Sequence, residues 1–211
     1  MSTVLYDYWR SSASYRVRIA LHLAEIPFER VTVDLLKGAH KAPDHLARHA
    51  LGLVPALTID GQTFTQSLAI LEYLNATRDM QLVPQDPAQA AKVRALAQTL
   101  AVDVHPVCNL SVVRFATQDM DNPMQASTAW MHHFIRPGLT AFEAQLAAFD
   151  QTPYACGDSV SLADICLIPQ LYNATRWGID VSDLPRTAAV KSACDALPAF
   201  AAAHPDALSP T

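Results

Sequence analysis

Residues 9–21 of this chain, WRSSASYRVRIAL, join a short β-prone run to an amphipathic helix, and no other stretch constrains the fold as tightly. Val4, Leu5 and Tyr6 form the run before the junction. After it, Val17, Ala20, Leu21 and Ala24 recur at i, i+3, i+4 and i+7, the spacing of one apolar helix face. Ser11, Ser12 and Ser14 therefore fall at a strand-to-helix turn. The first amides of a helix have no intrahelical acceptor, and the positive end of the helix dipole lies there too, so an anion at this turn is stabilised. A serine-rich N-cap accounts for the same hydroxyls without any ligand, and the turn alone leaves both readings open.

The following residues extend the pattern. Residues 28–35 alternate β-branched and polar side chains and predict a second strand, parallel to the first through the helix, which makes a βαβ unit. Two short β runs at 53–59 and 62–65 flank Asp60-Gly61, a strong hairpin signal. Gln66-Ser67 then opens an amphipathic helix through Leu71 and Leu74, with Ser67 the natural N-cap. Residues 79–87, DMQLVPQDP, read as a linker. From Ala88 onward the chain is rich in alanine and leucine at helical spacing, which predicts an all-α second part. Asp86 and Pro87 fit the N-cap and first position of its first long helix, and Pro106 predicts a kink further along. Ser161 and Asp164 fit a capping box for a buried helix that Gly178 ends.

At 211 residues, 51% of them hydrophobic, the chain has material for one large or two small domains. A formal charge of −5 with no Lys/Arg run argues against a nucleic-acid partner and favours small-molecule chemistry. Neither a signal-peptide pattern nor an apolar run near the ~20 residues of a membrane span is present, so the expected location is cytoplasmic with no membrane contact. Cys108, Cys156, Cys166 and Cys194 lack paired spacing and read as reduced, mostly buried thiols. His45 and His49 have the i, i+4 spacing of a metal pair, but no third ligand accompanies them and no metal is expected.

Cys-x-x-Cys at the first turn would mark a thioredoxin-like redox site, but serine and alanine stand there, so the protein supplies no thiol at that point. The string Arg10-Ser11-Ser12 followed by Tyr15-Arg16-Val17-Arg18-Ile19-Ala20-Leu21 instead closely resembles the signature of zeta-class glutathione transferases, which include maleylacetoacetate and maleylpyruvate isomerases. Matches at 54–74, 105–111, 161–177 and Val181 extend the resemblance over nearly the whole chain. The family usually has Ser-Ser-Cys where this chain has Ser11-Ser12-Ala13, and often Asn-Pro where it has residues 48–53, RHALGL.

The resemblance implies a glutathione transferase fold: a thioredoxin-like α/β domain binding glutathione at 1–80, then an all-helical substrate domain at 88–211. It implies a cis proline at Pro55, which turns the Val54 backbone toward the cysteinyl backbone of glutathione. His40, Gln66 and Ser67 are implied contacts to the tripeptide, as are His105 and Asn109 from the second domain. Ser11 and Ser12 would lower the pKa of the glutathione thiol, and Arg10 and Arg176 would bind the carboxylates of a maleyl substrate. The implied activity is glutathione-dependent cis–trans isomerisation of maleylacetoacetate or maleylpyruvate, in a homodimer. Conjugation of small electrophiles and a non-enzymatic binding module are the alternatives. Ala13 removes the cysteine on which a related reductive dehalogenation depends, so that activity is not expected.

Overall fold

In the computed structural model, which describes residues 2–149 and 152–209, the chain divides into two units. One is Met1–Gln81 with Ala196–Thr211, and the other is Leu82–Asp195. In the first, β1 (Val4–Asp7) lies inside a mixed four-stranded sheet of order β2-β1-β3-β4. Helix α1 (Ser12–Leu23) is the crossover to the parallel β2 (Glu29–Thr32), as the βαβ pattern requires. A short α2 (Pro43–Leu46) leads to the antiparallel hairpin of β3 (Ala56–Ile59) and β4 (Gln62–Thr65). Its turn residues Asp60 and Gly61 have φ of 52° and 76°, the positive values that a two-residue hairpin needs. Helix α1 is buried on every side from Ser12 to Leu21 and not along one apolar stripe alone, with Val17, Ile19, Ala20 and Leu21 wholly inside, and α3 (Ser67–Arg78) places Ile70, Leu71 and Leu74 there too. Each such large side chain contributes about 1.5–3 kcal/mol through burial.

The second unit has no strand among its described residues. It is built from α4 (Pro87–Gln98), α5 (Leu110–Thr117), α6 (Pro123–Gln145), α7 (Leu162–Arg176) and α8 (Pro185–Asp195). Asp86 caps α4, its carboxylate accepting from the Gln89 N–H at 2.8 Å, with Pro87 in the first helical position. Helix α7 is the buried axis, with Ala163, Ile165, Cys166 and Leu167 wholly inside. At its start the Asp164 carboxylate accepts from the Ser161 N–H and hydroxyl and from the Ala155 N–H. Gly138 allows α6 to close on Val104, because a Cβ there would lie 2.2 Å from the valine methyl. Among the described residues no helix is long and apolar enough to cross a membrane.

Pro106 does not kink a continuous helix, as its sequence position suggests, but ends one. Helix α4 passes into a wide π turn (Thr99–Val104) whose last bond runs from His105 N–H to Leu100 C=O. Pro106 has no N–H with which to continue that ladder. The chain closes a tight turn from Cys108 N–H to the Val104 and His105 carbonyls, and Asn109 is extended before α5 begins.

Helix α9 (Pro198–Ala203) returns to the first unit and packs on α1. The link is polar and fully buried. Arg18, on α1, donates to the Asp7 carboxylate at 2.6 Å, to Trp9 C=O at 2.9 Å and to Ala203 C=O at 3.0 Å. Arg18 and Asp7 side chains are both 0% exposed, and Arg30 approaches the other Asp7 oxygen at 3.4 Å. Burial raises the Asp7 carboxyl from its ordinary value, while Arg18 and then Arg30 pull against that rise. Removing one partner strands a buried charge, so Arg18→Met is expected to lower stability by about 3–5 kcal/mol. Urea denaturation of wild type and variant checks this, and a loss within 1 kcal/mol, roughly the scale of a surface pair, would refute it.

Candidate active site

In the first unit, two helix starts carry the side chains expected to meet an anionic peptide. At α1, Ser11 is the N-cap: its hydroxyl oxygen accepts from the Ser14 N–H at 3.2 Å, and its carbonyl accepts from the Tyr15 N–H at 2.8 Å. Because the oxygen accepts there, the hydroxyl hydrogen remains available to donate to a ligand. Ser12 is the first helical residue and is buried at 9% exposure, while Ser11 is half-buried, so the cap serine is the more accessible of the two. Ala13, in the place of the family cysteine, is buried and offers only a methyl group.

Arg10 precedes this cap on an aromatic support. Its guanidinium lies 4.8 Å from the Trp9 ring centre and 5.9 Å from that of Tyr8, and it donates to the Tyr8 hydroxyl at 3.1 Å. Tyr8 is itself buried with Val33 and Val54, so the cation's support and the Val54 backbone share one apolar cluster.

At α3 the sequence expectation needs correction. Gln66, not Ser67, occupies the N-cap position, at φ 67° and ψ 109°, and makes no side-chain capping bond. Such a backbone in a non-glycine residue costs on the order of 1–3 kcal/mol and collects at ligand sites. Ser67 is the first helical residue, buried, and its hydroxyl oxygen accepts from Arg16 Nε at 3.0 Å.

Between these helix starts runs the loop that carries His40. Gly38 turns the chain at φ 76°, and His40 sits half-buried in the single helical turn that follows. Its carbonyl oxygen would lie 2.6 Å from a Cβ at Gly52, whose φ is 60°, so only glycine fits there. His45 Nε2 is 2.8 Å from Leu53 C=O, and a carbonyl only accepts, so this nitrogen carries the proton. The bond holds the residue just before Val54, and the Val54-Pro55 bond is cis, as the resemblance implies. His49 stacks on His45 with ring centres 6.5 Å apart. No group of three His, Cys, Asp or Glu able to hold a metal occurs among the described residues.

The second unit carries the other expected residues. His105 closes the π turn and Asn109 is the extended residue before α5, both half-buried; Asn109 makes no capping bond, and Trp130 Nε1 fixes this turn by donating to Val107 C=O at 2.9 Å. Arg176 is the last residue of α7 and is exposed, and Gly178 follows at φ 65° as a C-terminal stop. His132 Nε2 is 2.7 Å from Trp177 C=O, which pins the backbone next to Arg176. The cysteines are free, and burial pushes the Cys108 and Cys156 thiols up to about 12 and raises that of Cys194. Those three stay protonated at neutral pH.

Comparison with known proteins agrees with this architecture. Residues 1–76 match the family model "Glutathione S-transferase, N-terminal domain", and residues 135–202 match "Glutathione S-transferase, C-terminal domain". A maleylacetoacetate isomerase of Rhizobium meliloti (strain 1021) is 50% identical, covering 99% of this chain and 98% of its own. The chain belongs to the glutathione S-transferase family, in its zeta class. Among solved structures, the holo structure of a maleyl pyruvate isomerase, described as a bacterial zeta-class glutathione S-transferase, superposes with a TM-score of 0.93 at 37% identity, covering 97% of each chain. A maleylacetoacetate isomerase of Methylobacterium extorquens AM1 with bound malonate and GSH gives 0.90 at 39% identity, covering 96% of each.

For this transferase, sequence reasoning missed Tyr8 as the support of Arg10 and Arg16 as the partner of Ser67. Arg16 left a faint signal: at i+3 from Ala13 and i−4 from Ala20 it shares a face with two buried alanines, an inward place for a cation.

The stacked histidines give the site a pH dependence. Burial, then the neighbouring His45, lowers the His49 pKa from its ordinary 6.5. The unfolded chain therefore takes up a proton before the folded one does. The contribution of neutral His49 is complete above about pH 6.5 and is lost as pH falls below it. Stability measured by denaturation is expected to decline from pH 7 to pH 5, and His49→Gln is expected to flatten that decline. An unchanged slope in the variant would refute the assignment.

Proposed function

We propose that this zeta-class transferase is a glutathione-dependent cis–trans isomerase that converts a maleyl keto-diacid, maleylacetoacetate or maleylpyruvate, to its fumaryl isomer. The observation that carries the reading is Arg10 on its Tyr8–Trp9 support, directly before the cap hydroxyl of Ser11: a cation for a substrate carboxylate adjoins a donor for a thiolate. The chain's own residues also fit glutathione. Ser11 and Ser67 each accept one hydrogen bond through the hydroxyl oxygen and keep the hydrogen for a ligand, at two helix starts that favour negative charge.

Bound glutathione supplies the sulfur nucleophile whose reversible addition gives the substrate's double bond single-bond character, and it is regenerated when the bond re-forms. Ser11 would donate to the thiolate, with Ser12 and the α1 amides adding positive potential, so that more of the thiol is ionised near pH 7. Gln66 and Ser67 hold the γ-glutamyl end, the Val54 backbone pairs with the cysteinyl unit, and His40, His105 and Asn109 make further polar contacts. Arg10 and Arg176 take the substrate's carboxylates, and their charge opposes the negative charge that develops on the substrate after attack. Residues 1–80 would serve as the glutathione domain and the helices within Leu82–Asp195 as the substrate domain, in a cytoplasmic homodimer; residues 196–211, expected in the second domain, group with the first instead.

Ultraviolet absorbance of each maleyl acid with purified protein, with and without catalytic glutathione, tests the reading. Isomerisation is expected only with glutathione, which is recovered intact. Arg10→Ala and Arg176→Ala should each lower kcat/KM by roughly tenfold to a hundredfold, the worth of one charged hydrogen bond. Ser11→Ala should move the alkaline rise of the pH–rate profile upward by about one unit. Glutathione binding with conjugate formation but no isomerisation would move the assignment to a conjugating transferase.

A further inference from the structure

Helix α1 buries two arginines, two positions apart, and they face different parts of the first unit. Arg18, 0% exposed, is committed to Asp7, Trp9 and Ala203. Arg16, 3% exposed, reaches across to the first residue of α3, where its Nε donates to the Ser67 hydroxyl at 3.0 Å. The contact spans 51 positions of sequence and joins the opening turns of two helices. A serine hydroxyl has one hydrogen to give and two lone pairs to accept with. A guanidinium N–H can only donate, so it fills a lone pair and leaves that one hydrogen for another acceptor. Donation from a cation also polarises the hydroxyl and strengthens the bond it gives in turn.

From this geometry we infer that Arg16 is a positioning residue for the anionic end of glutathione, fixing the Ser67 hydroxyl as a donor to a ligand carboxylate. The inference rests on the glutathione reading above and assigns to Arg16 a role separate from the bracing role of Arg18. The strained N-cap beside it is consistent with this role: Gln66 is held at φ 67° with no side-chain capping bond, and the adjoining residue is the one that Arg16 grips.

A double-mutant cycle on glutathione affinity tests it. Glutathione is titrated calorimetrically into the full-length wild type, Arg16→Met, Arg16→Lys, Ser67→Ala and the two double variants, each checked for folding by circular dichroism. Arg16→Met is expected to raise the glutathione Kd about tenfold to a hundredfold. Arg16→Lys keeps the charge without an N–H at the Nε position and should recover only part of that loss. In the Ser67→Ala background either Arg16 change should add less than about twofold, because the group it positions is gone. In turnover, KM for glutathione should rise while kcat at saturating glutathione stays within about twofold. If Arg16→Met fails to fold, the Arg16→Lys cycle decides alone. An Arg16 effect equally large without the Ser67 hydroxyl, or no effect in its presence, overturns the inference and leaves the glutathione reading intact. A wild-type protein that binds no glutathione overturns both.

Discussion

The buried pair of Asp7 and Arg18 is the interaction on which the rest of the first unit depends. It ties the last residue of β1 to the second turn of α1, and through Arg18 it also holds Trp9 and the end of α9. Every residue of the turn from Tyr8 to Ser11 lies between the two ends of this clamp. A charge pair sealed from water adds little net stability compared with apolar side chains of the same size, but it tolerates no other arrangement, since a stranded charge is costly. What it supplies is position. The turn that carries Arg10 and Ser11 is short of regular structure, and the pair fixes its position at both ends.

Around that clamp the molecule repeats one physical device. Where α1 begins, the Ser11 oxygen accepts from a backbone N–H, and where α3 begins, the Ser67 oxygen accepts from a guanidinium. In both cases the protein occupies a lone pair and leaves the hydrogen, which turns an amphoteric hydroxyl into a donor. The supporting groups are buried, while the donors lie at helix starts where dipoles favour negative charge. In the second unit ring N–H donors from α6 instead pin the backbone near Arg176 and His105.

Much of this was legible in the sequence. Period-3.6 apolar spacing located α1 and α3, Asp60-Gly61 located the hairpin, and Asp86-Pro87 located the start of α4, because each signal depends only on residues a few positions apart. Other readings failed for a shared reason. Ser67 reads as a cap by composition, yet its oxygen is claimed by an arginine 51 positions earlier, and Gln66 takes the cap position. Pro106 reads as a kink, yet the preceding π turn had already widened the ladder, and the missing N–H ended it. Nor does anything local in residues 198–203 announce that Ala203 C=O will meet a buried guanidinium of α1.

By itself, then, the sequence determined the βαβ unit, the hairpin, the helical character of the second part and the family, along with the serine turn that follows Arg10. Those properties follow from short-range periodicity, turn chemistry and an unbroken string of matching residues. Tertiary structure alone decided that Tyr8 supports Arg10, that Arg16 sets Ser67, that His45 secures the residue before Val54, and that the last helix packs on α1. Each of these joins positions by which groups are buried together. A polar group removed from water must find its partner wherever the packed chain provides one, and distance along the sequence does not enter that requirement.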